Sequence, residues 1–137
     1  MHINSVFKIS DMLSLALHSM VYIAGRNPEL VSVKEIAGVT GCSVNHLAKV
    51  MQRLTRAGLL HSVRGPKGGF TLVRKPEDIS FMQIYQAIEG EPAVKGCPLA
   101  DSNCPFNKCI FGDTVDNINR QFIDYLEDTT LDRFTDL

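Results

Sequence analysis

The chain has 137 residues, of which 45% are apolar and 21% are charged, the composition of an ordinary globular protein. A chain of this length buries a hydrophobic core without a disulfide framework. The apolar run at residues 12–24 contains His18 and is too short to cross a bilayer, so a buried helix is expected there. No basic stretch followed by an apolar core is visible at the N-terminus, so we expect no signal peptide and a cytoplasmic protein.

The formal net charge of −1 conceals an asymmetry along the chain. Residues 1–76 contain ten Lys and Arg residues against three acids, whereas residues 77–137 contain four against twelve, so the two parts carry +7 and −8. A positive first part favours a polyanionic partner, and a solvated charge distribution without a partner accounts for the charge alone equally well. The motifs that follow favour the polyanion.

The first predicted helix covers about residues 5–25. Apolar residues recur every three or four positions from Val6 to Ala24, which is the period of one apolar helix face. Asn27 and Pro28 are predicted to end this helix.

Two short helices are predicted next, joined by a tight turn. Ser32 is the predicted N-cap of the second helix, and Glu35 three residues later completes a capping box. The predicted buried face of this helix comprises Val33, Ile36, Ala37 and Val39. Gly41 breaks the helix, and Ser43 caps a third helix that runs to about Ala57. Two short helices joined in this way make a helix-turn-helix.

The third helix is predicted to separate an apolar face from a basic face. The residues predicted to point inward are Val44, Leu47, Ala48, Met51 and Leu54. The residues predicted to point outward include no acid and are Asn45, His46, Lys49, Gln52, Arg53 and Arg56. Residues 59–64 and 70–74 are predicted strands on either side of a glycine-rich turn. A basic hairpin directly after a helix-turn-helix indicates a winged helix, so residues 1–76 are predicted to form a DNA-binding domain.

The outward face and the hairpin tip carry side chains that suit double-stranded DNA. Asn45 suits adenine edges, Arg53 and Arg56 suit phosphate or guanine, and a basic wing suits the phosphate backbone or the minor groove. The predicted DNA contacts are Ser43, Asn45, His46, Lys49 and Arg53 in the helix, and Arg64, Pro66, Lys67 and Gly68 in the wing. For each residue the alternative is a solvated surface position. Cys42, in the turn, is predicted to pack in the core.

Residues 77–137 are predicted to form a cysteine loop and a dimerisation helix. Ser80 caps a fourth helix over about residues 81–89, and residues 90–108 form a long loop. A last helix of roughly 27 Å is predicted from Cys109 to Glu127. Its apolar positions step by four, three, four and three, the a/d pattern of a helix that pairs with another helix, at Phe111, Val115, Ile118, Phe122 and Tyr125. The alternative is a helix packed back on its own domain. The predicted fold is therefore mostly α with a small β-hairpin wing: a winged helix-turn-helix plus a long C-terminal dimerisation helix.

Three cysteines lie close together in the second part, at Cys97, Cys104 and Cys109. In a reducing compartment such a group favours metal ligands or redox sensors over structural disulfides. Thiolates are the ligands that iron–sulfur clusters prefer, and zinc also accepts three cysteines plus one other ligand. Free thiols that sense oxidation by forming a disulfide or persulfide are a third possibility.

The stretch from Gly58 to Phe70, GLLHSVRGPKGGF, resembles the wing signature of the bacterial regulator family that includes IscR, NsrR and CymR. The resemblance extends over nearly the whole chain, from Ser10-Asp11 through residues 33–37 and the late cysteines to residues 129–131. It implies a homodimer that binds a pseudo-palindromic operator in double-stranded DNA, with two recognition helices and two wings reading successive turns.

The resemblance also implies that the three late cysteines hold an iron–sulfur cluster. IscR-like members place a histidine three residues after the last cysteine, where this chain has Gly112. NsrR-like members use an aspartate at the start of the partner's first helix, and Asp11 matches that position. The resemblance thus favours a 4Fe–4S over a 2Fe–2S cluster, with Asp11 as fourth ligand in trans. Asp113, Asp101 and His18 are the other candidate ligands.

No enzymatic activity is predicted. The chain has no phosphate-binding loop ending in GKS, no HExxH and no nucleophile elbow. The expected function is that of a regulator, and in particular a repressor, that senses redox state, nitric oxide or iron–sulfur status. The alternatives are a zinc-bound or metal-free thiol-sensing regulator, and an iron–sulfur carrier or interaction module.

Overall fold

The computed structural model describes residues 6–93, Cys97, Leu99 and residues 104–136. Along the chain these residues form α1 (Asp11–Arg26), α2 (Val33–Thr40), α3 (Val44–Arg56), β1 (Leu60–Val63), β2 (Gly69–Leu72), α4 (Phe81–Glu89) and α5 (Thr114–Asp128). Two 3-10 turns cover Pro76–Asp78 and Leu131–Phe134. The strands pair antiparallel. Five helices and one hairpin confirm the predicted mostly α fold with a β-hairpin wing. None of the helices in the described part of the chain is long and apolar enough to cross a membrane.

Helix α1 forms the centre of the hydrophobic core. It packs against α2, α3, α4, β2 and the C-terminal 3-10 turn, and its Ala16, Met20 and Ile23 are fully buried. One cluster of buried side chains runs from Leu13 to Leu131, so the core joins residues from both parts of the chain.

The first helix starts later than the sequence pattern predicts. Ser10 is the N-cap, with its hydroxyl accepting a hydrogen bond of 3.1 Å from the Leu13 amide, and the described residues before it are not helical. Val6, Phe7 and Ile9 are exposed, and the Phe7 ring also packs edge-on against Phe122 of α5, with ring centroids 5.3 Å apart. The prediction of a helix from residue 5 is therefore wrong, because a local cap overrides the apolar period.

The buried faces of α2 and α3 differ in detail from their predictions. Val39 is exposed in α2, and Val44 and Ala48 are exposed in α3, where the buried residues are instead Leu47, Val50, Met51 and Leu54. This spacing of three, one and three residues gives a narrow stripe, and Ala48 lies 100° round the helix from Leu47. Half of the predicted capping box forms in α2: the Ser32 hydroxyl accepts from the Glu35 amide.

The hairpin is shorter than predicted and is attached to the rest of the fold. Val31, between α1 and α2, forms a bridge with Phe70, with N–O distances of 3.0 and 2.8 Å. A Cβ on Gly69 would stand 2.7 Å from the Val31 carbonyl oxygen, so glycine is needed for this close approach. The second strand of the wing is therefore held, near the turn of the hairpin, by the segment before the helix-turn-helix.

The last helix is also shorter than predicted, and a terminal segment that was not predicted fixes its end. Gly112 has φ +58°, outside the helical region, and α5 begins at Thr114 instead of Cys109. Its 15 residues span about 22 Å. Beyond α5, the Phe81 amide donates to the Thr129 carbonyl at 2.8 Å and the Phe134 ring stacks on Phe81 at 5.5 Å. The C-terminal end of α5 is thereby fixed to the start of α4, whose predicted Ser80 cap is confirmed.

Candidate nucleic-acid interface and cysteine loop

The start of α3 is built by the turn that precedes it. Gly41 adopts a left-handed conformation, with φ +75°, that ends α2, and the Ser43 hydroxyl then accepts a hydrogen bond of 3.1 Å from the His46 amide. Ser43 is exposed and its hydroxyl hydrogen remains able to donate outward. The exposed N-terminus of α3 therefore combines free backbone donors with a hydroxyl, groups that suit a phosphate.

The predicted DNA contacts of α3 are all exposed. At 100° per residue, Asn45, Lys49 and Arg56 lie opposite the buried stripe, and His46 and Arg53 lie on one flank. Residues 41–75 contain no acid and seven Lys and Arg residues, so α3 and the wing form a surface of one charge. Such a surface attracts a polyanion at long range.

Arg53 has a partner within the protein. Its Nη1 donates a hydrogen bond of 3.0 Å to the Ile88 carbonyl oxygen in the last turn of α4. Arg53 was predicted as a DNA contact, and the structure gives its guanidinium a second task, that of satisfying the end of a helix. No sequence signal indicated this contact, because Arg53 and Ile88 are 35 positions apart in the chain.

The wing tip places its basic side chains in solvent. Arg64, Pro66 and Lys67 are exposed, and the Gly68 amide donates to the Gly65 carbonyl at 2.9 Å to close the turn. A Cβ on Gly68 would stand 2.0 Å from the Val63 carbonyl oxygen. Glycine at position 68 is therefore required by the turn itself, which is a reason independent of any approach to DNA.

A hydrogen-bonded group ties α1 to the first helix of the helix-turn-helix. Arg26 and the Tyr22 hydroxyl both donate to Oε2 of Glu35, and Arg26 also pairs with Glu29 at 2.9 Å. The bond to Glu35 raises the pKa of Tyr22 above its ordinary value, and the bond to Glu29, with smaller contributions from Tyr22 and Glu35, raises the pKa of Arg26. The Glu35 side chain therefore holds two helices together and does not complete the predicted capping box.

A cavity of about 710 Å³ lies between α1 and the helix-turn-helix, and the sequence analysis did not predict it. Asp11 and His18 line it from α1, Cys42 from the turn and His46 from α3. The Nδ1 atom of His18 lies 2.7 Å from the Ser14 carbonyl oxygen, which can only accept, so Nδ1 carries the proton. Cys42 is half-buried and packs against the core, as predicted, and also faces this cavity.

Within the described residues, the candidate metal ligands are exposed or half-buried and are not assembled into a metal-binding group. Cys97 is half-buried, and Cys104 and Cys109 are exposed; all three are free thiols. Asp11 is exposed in the first turn of α1, and the described residues contain no group of three metal-binding side chains. Asp113 is exposed before α5, and the alternative ligand Asp101 lies outside the described residues. Three free thiols suit an iron–sulfur cluster chemically, since thiolates are its usual ligands.

Comparison with known proteins places the chain in a family of transcriptional regulators. Residues 9–136 match the family profile described as Rrf2, iron-dependent transcriptional regulator. The chain is 33% identical over 125 residues to a protein of Aquifex aeolicus named among the HTH-type transcriptional regulators, which covers 89% of this chain and 87% of that protein. It is 32% identical over 97 residues to the HTH-type transcriptional regulator NsrR of Bacillus subtilis, covering 70% and 66% of the two chains.

Solved structures show the same architecture. CymR, the global cysteine regulator of B. subtilis, superposes with a TM-score of 0.77 at 25% identity over 96% of this chain and 98% of that one. IscR of T. potens superposes with a TM-score of 0.73 at 26% identity over 93% and 85% of the two chains. The resemblance inferred from the wing signature is confirmed, as is the prediction of a winged helix. These relatives are named as transcriptional regulators and not as enzymes, as expected.

Proposed function

The chain belongs to the Rrf2 family of transcriptional regulators, and from that premise we propose that it is a dimeric repressor whose three late cysteines hold an iron–sulfur cluster. In this proposal residues 1–76 bind DNA, and residues 77–137 carry the cysteine loop and the dimerisation helix. Since its target is DNA, the protein acts in the cytoplasm. The observation that carries the DNA-binding part of the proposal is the surface of α3 and the wing, since residues 41–75 contain no acid.

DNA binding follows from the exposed groups of that surface. Asn45 and Lys49 face away from the core, so α3 can enter a major groove with an amide for adenine and an ammonium for phosphate or guanine. Arg64 and Lys67 stand at the wing tip, beyond the end of α3 in the chain, and suit the phosphate backbone or the adjacent minor groove. His46 and Ser43 complete the N-terminal end of the proposed interface.

Dimerisation is supported by the two sides of α5. Leu126 is buried and Ile123 packs on the core, which attaches α5 to its own chain. Ile118 and Tyr125, on the predicted a/d seam, are nevertheless 43% and 48% exposed. A second copy of α5 packed on this seam would cover them and give a two-fold dimer, which matches a pseudo-palindromic operator.

We propose that Cys97, Cys104 and Cys109 ligate a 4Fe–4S cluster, with Asp11 of the partner subunit as fourth ligand. The cluster would supply a centre that nitric oxide, oxygen or iron shortage removes. The exposed thiols leave this site open to small molecules, and Asp11 is exposed and available for ligation. Loss of the cluster would release the cysteine loop, which directly follows α4. This release would change the DNA-binding surface.

The test is an absorption spectrum with iron and sulfide analysis on protein purified without air. We expect a broad band near 400 nm and about four irons per chain, lost in Cys104→Ala and retained in Cys42→Ala, which is a thiol outside the loop. An Asp11→Ala variant should hold the cluster less stably than Asp113→Ala, which removes an alternative candidate ligand. Equal behaviour of the two aspartate variants would contradict the assignment of Asp11.

A thiol-sensing regulator is the second candidate. The free, exposed state of Cys104 and Cys109 supports it, as does the likeness to CymR of Staphylococcus aureus, a structure described as the oxidised form, at 28% identity and a TM-score of 0.73. If the purified protein contains no iron, sulfide or zinc, this candidate is favoured. If it contains stoichiometric zinc, a zinc-bound regulator is favoured. Failure to bind any DNA duplex while holding the cluster would favour a carrier or interaction module.

A further inference from the structure

The C-terminal end of α4 is a junction of three elements. Arg53 of α3 donates a hydrogen bond of 3.0 Å to the Ile88 carbonyl oxygen there. The last four carbonyl groups of a helix have no partner within it and carry the negative end of the helix dipole. The Arg53 guanidinium supplies both a donor and a positive charge at this end, so the bond attaches α3 to α4.

The start of α1 is attached to the same end. The Ser10 hydroxyl donates to the Glu89 carboxylate, while the same oxygen caps α1 by accepting from the Leu13 amide. Asp11 directly follows Ser10, and the predicted cysteine loop begins at Gly90, directly after Glu89. The last two residues of α4, directly before the cysteine loop, are therefore bonded to α3 and to the N-cap of α1.

The direction of Arg53 agrees with a role inside the protein. On α3 it lies 40° round the helix from Lys49, towards the side of the buried stripe and of α4. Arg56, by contrast, lies on the outward face, and no bond from its side chain to another described residue is found. These two arginines, three residues apart, thus have different surroundings. Of the two, only Arg53 has a hydrogen-bond partner among the described residues.

We propose that Arg53 is a positioning residue that couples the cysteine loop to α3, and that Arg56 is the arginine of this helix that contacts phosphate. A change in the loop moves the end of α4, and the bond from Arg53 to Ile88 passes that movement to α3. The inference rests on the proposed function, in which the chain binds DNA and the loop senses a signal.

The experiment compares Arg53→Gln with Arg56→Gln, each in the wild-type and the Cys104→Ala background. DNA affinity is measured by fluorescence anisotropy as a function of salt, on a labelled duplex selected from a random pool for binding to wild-type protein. The Cys104→Ala change alters the loop, so the ratio of affinities between the two backgrounds measures coupling. Hydrogen exchange of the last turn of α4 is measured in the free proteins.

With no change at Arg53 or Arg56, we expect the DNA affinities of the two backgrounds to differ by about 5–150-fold, the usual range for allosteric coupling. Arg53→Gln should reduce this ratio to about twofold or less, keep the salt slope, and speed exchange in the last turn of α4. Arg56→Gln should keep the ratio and make the salt slope shallower by about two per dimer, because one phosphate contact per protomer is lost. Where Arg53→Gln fails to fold, Arg53→Lys keeps the charge that a phosphate would contact while losing the planar guanidinium, so coupling should fall with the slope unchanged.

The opposing results are distinct. An Arg53→Gln protein with a shallower salt slope and an unchanged ratio would overturn the inference alone and make Arg53 a phosphate contact. Unchanged hydrogen exchange would also overturn it, since the bond to Ile88 would then not hold α4. A wild-type protein that binds no duplex, or whose affinity ignores Cys104→Ala, would overturn the proposed function and this inference with it.

Discussion

Replacing Lys67 by alanine removes one positive charge from the wing tip of each protomer. Four basic side chains on α3 and at the wing tip are exposed without a bond to another described residue: Lys49, Arg56, Arg64 and Lys67. In the proposed dimer the two protomers together offer about eight phosphate contacts, and the logarithm of the DNA association constant should fall with the logarithm of salt concentration with a slope of about −7. Lys67→Ala removes two of these contacts, so we expect a slope of about −5.

The assay is anisotropy of a labelled duplex, selected for binding to wild-type protein, in a salt series. Between about 50 and 200 mM salt the wild-type affinity should fall by roughly four orders of magnitude and that of Lys67→Ala by roughly three. Lys8→Ala is the matched control, because it removes the same charge beside Phe7, on the side of α5. If Lys8→Ala changes the slope as much as Lys67→Ala, the salt dependence reflects net charge and the wing contact is refuted.

Three further predictions concern the wing, α5 and the link between α1 and α2. Gly68→Ala should weaken DNA binding and lower the melting temperature, because its Cβ meets the Val63 carbonyl at 2.0 Å, whereas Gly38→Ala, with open space around it, should keep binding and melt no earlier. Leu126→Ala, at a site 1% exposed, should lower the free energy of unfolding in urea by about 2–5 kcal/mol. Ile118→Ala should weaken the dimer, measured by sedimentation, with little effect on the stability of an isolated protomer. A dimer unaffected by Ile118→Ala argues against the proposed a/d seam. Because the fold raises the pKa of Tyr22, the hydroxyl's contribution to stability should be complete below its ordinary pKa of 10.0 and should be lost as pH rises through the raised value. Urea unfolding across that range should show a steeper loss in wild type than in Tyr22→Phe, and parallel curves would contradict the assignment.

Elements with local signals were predicted well from sequence. Ser43 and Ser80 cap α3 and α4 as expected, because a cap depends on a few neighbouring residues. The hairpin followed from its glycine-rich turn between two predicted strands. The start of α1 was wrong because the apolar period continues through Val6 and Ile9, while the helix begins only at the Ser10 cap.

The exposed candidates for DNA binding were also within reach of the sequence. Helix period alone places Asn45 and Lys49 opposite Leu47 and Leu54, and the structure leaves the former exposed and the latter buried. The wing residues Arg64 and Lys67 follow from their place in the turn. These assignments need only the local geometry of one element.

The class of fold and the basic surface could be predicted from sequence alone, because periodicity, caps and residue types are local properties. Tertiary structure alone decided that Arg53 bonds to Ile88, that Ser10 bonds to Glu89 and that Val31 holds the wing. These contacts join residues far apart in the chain, 35 and 79 positions for the first two, and no period or spacing encodes which distant groups meet. They form where packing on α1 brings helix ends together and places polar groups from distant parts of the chain within hydrogen-bond distance.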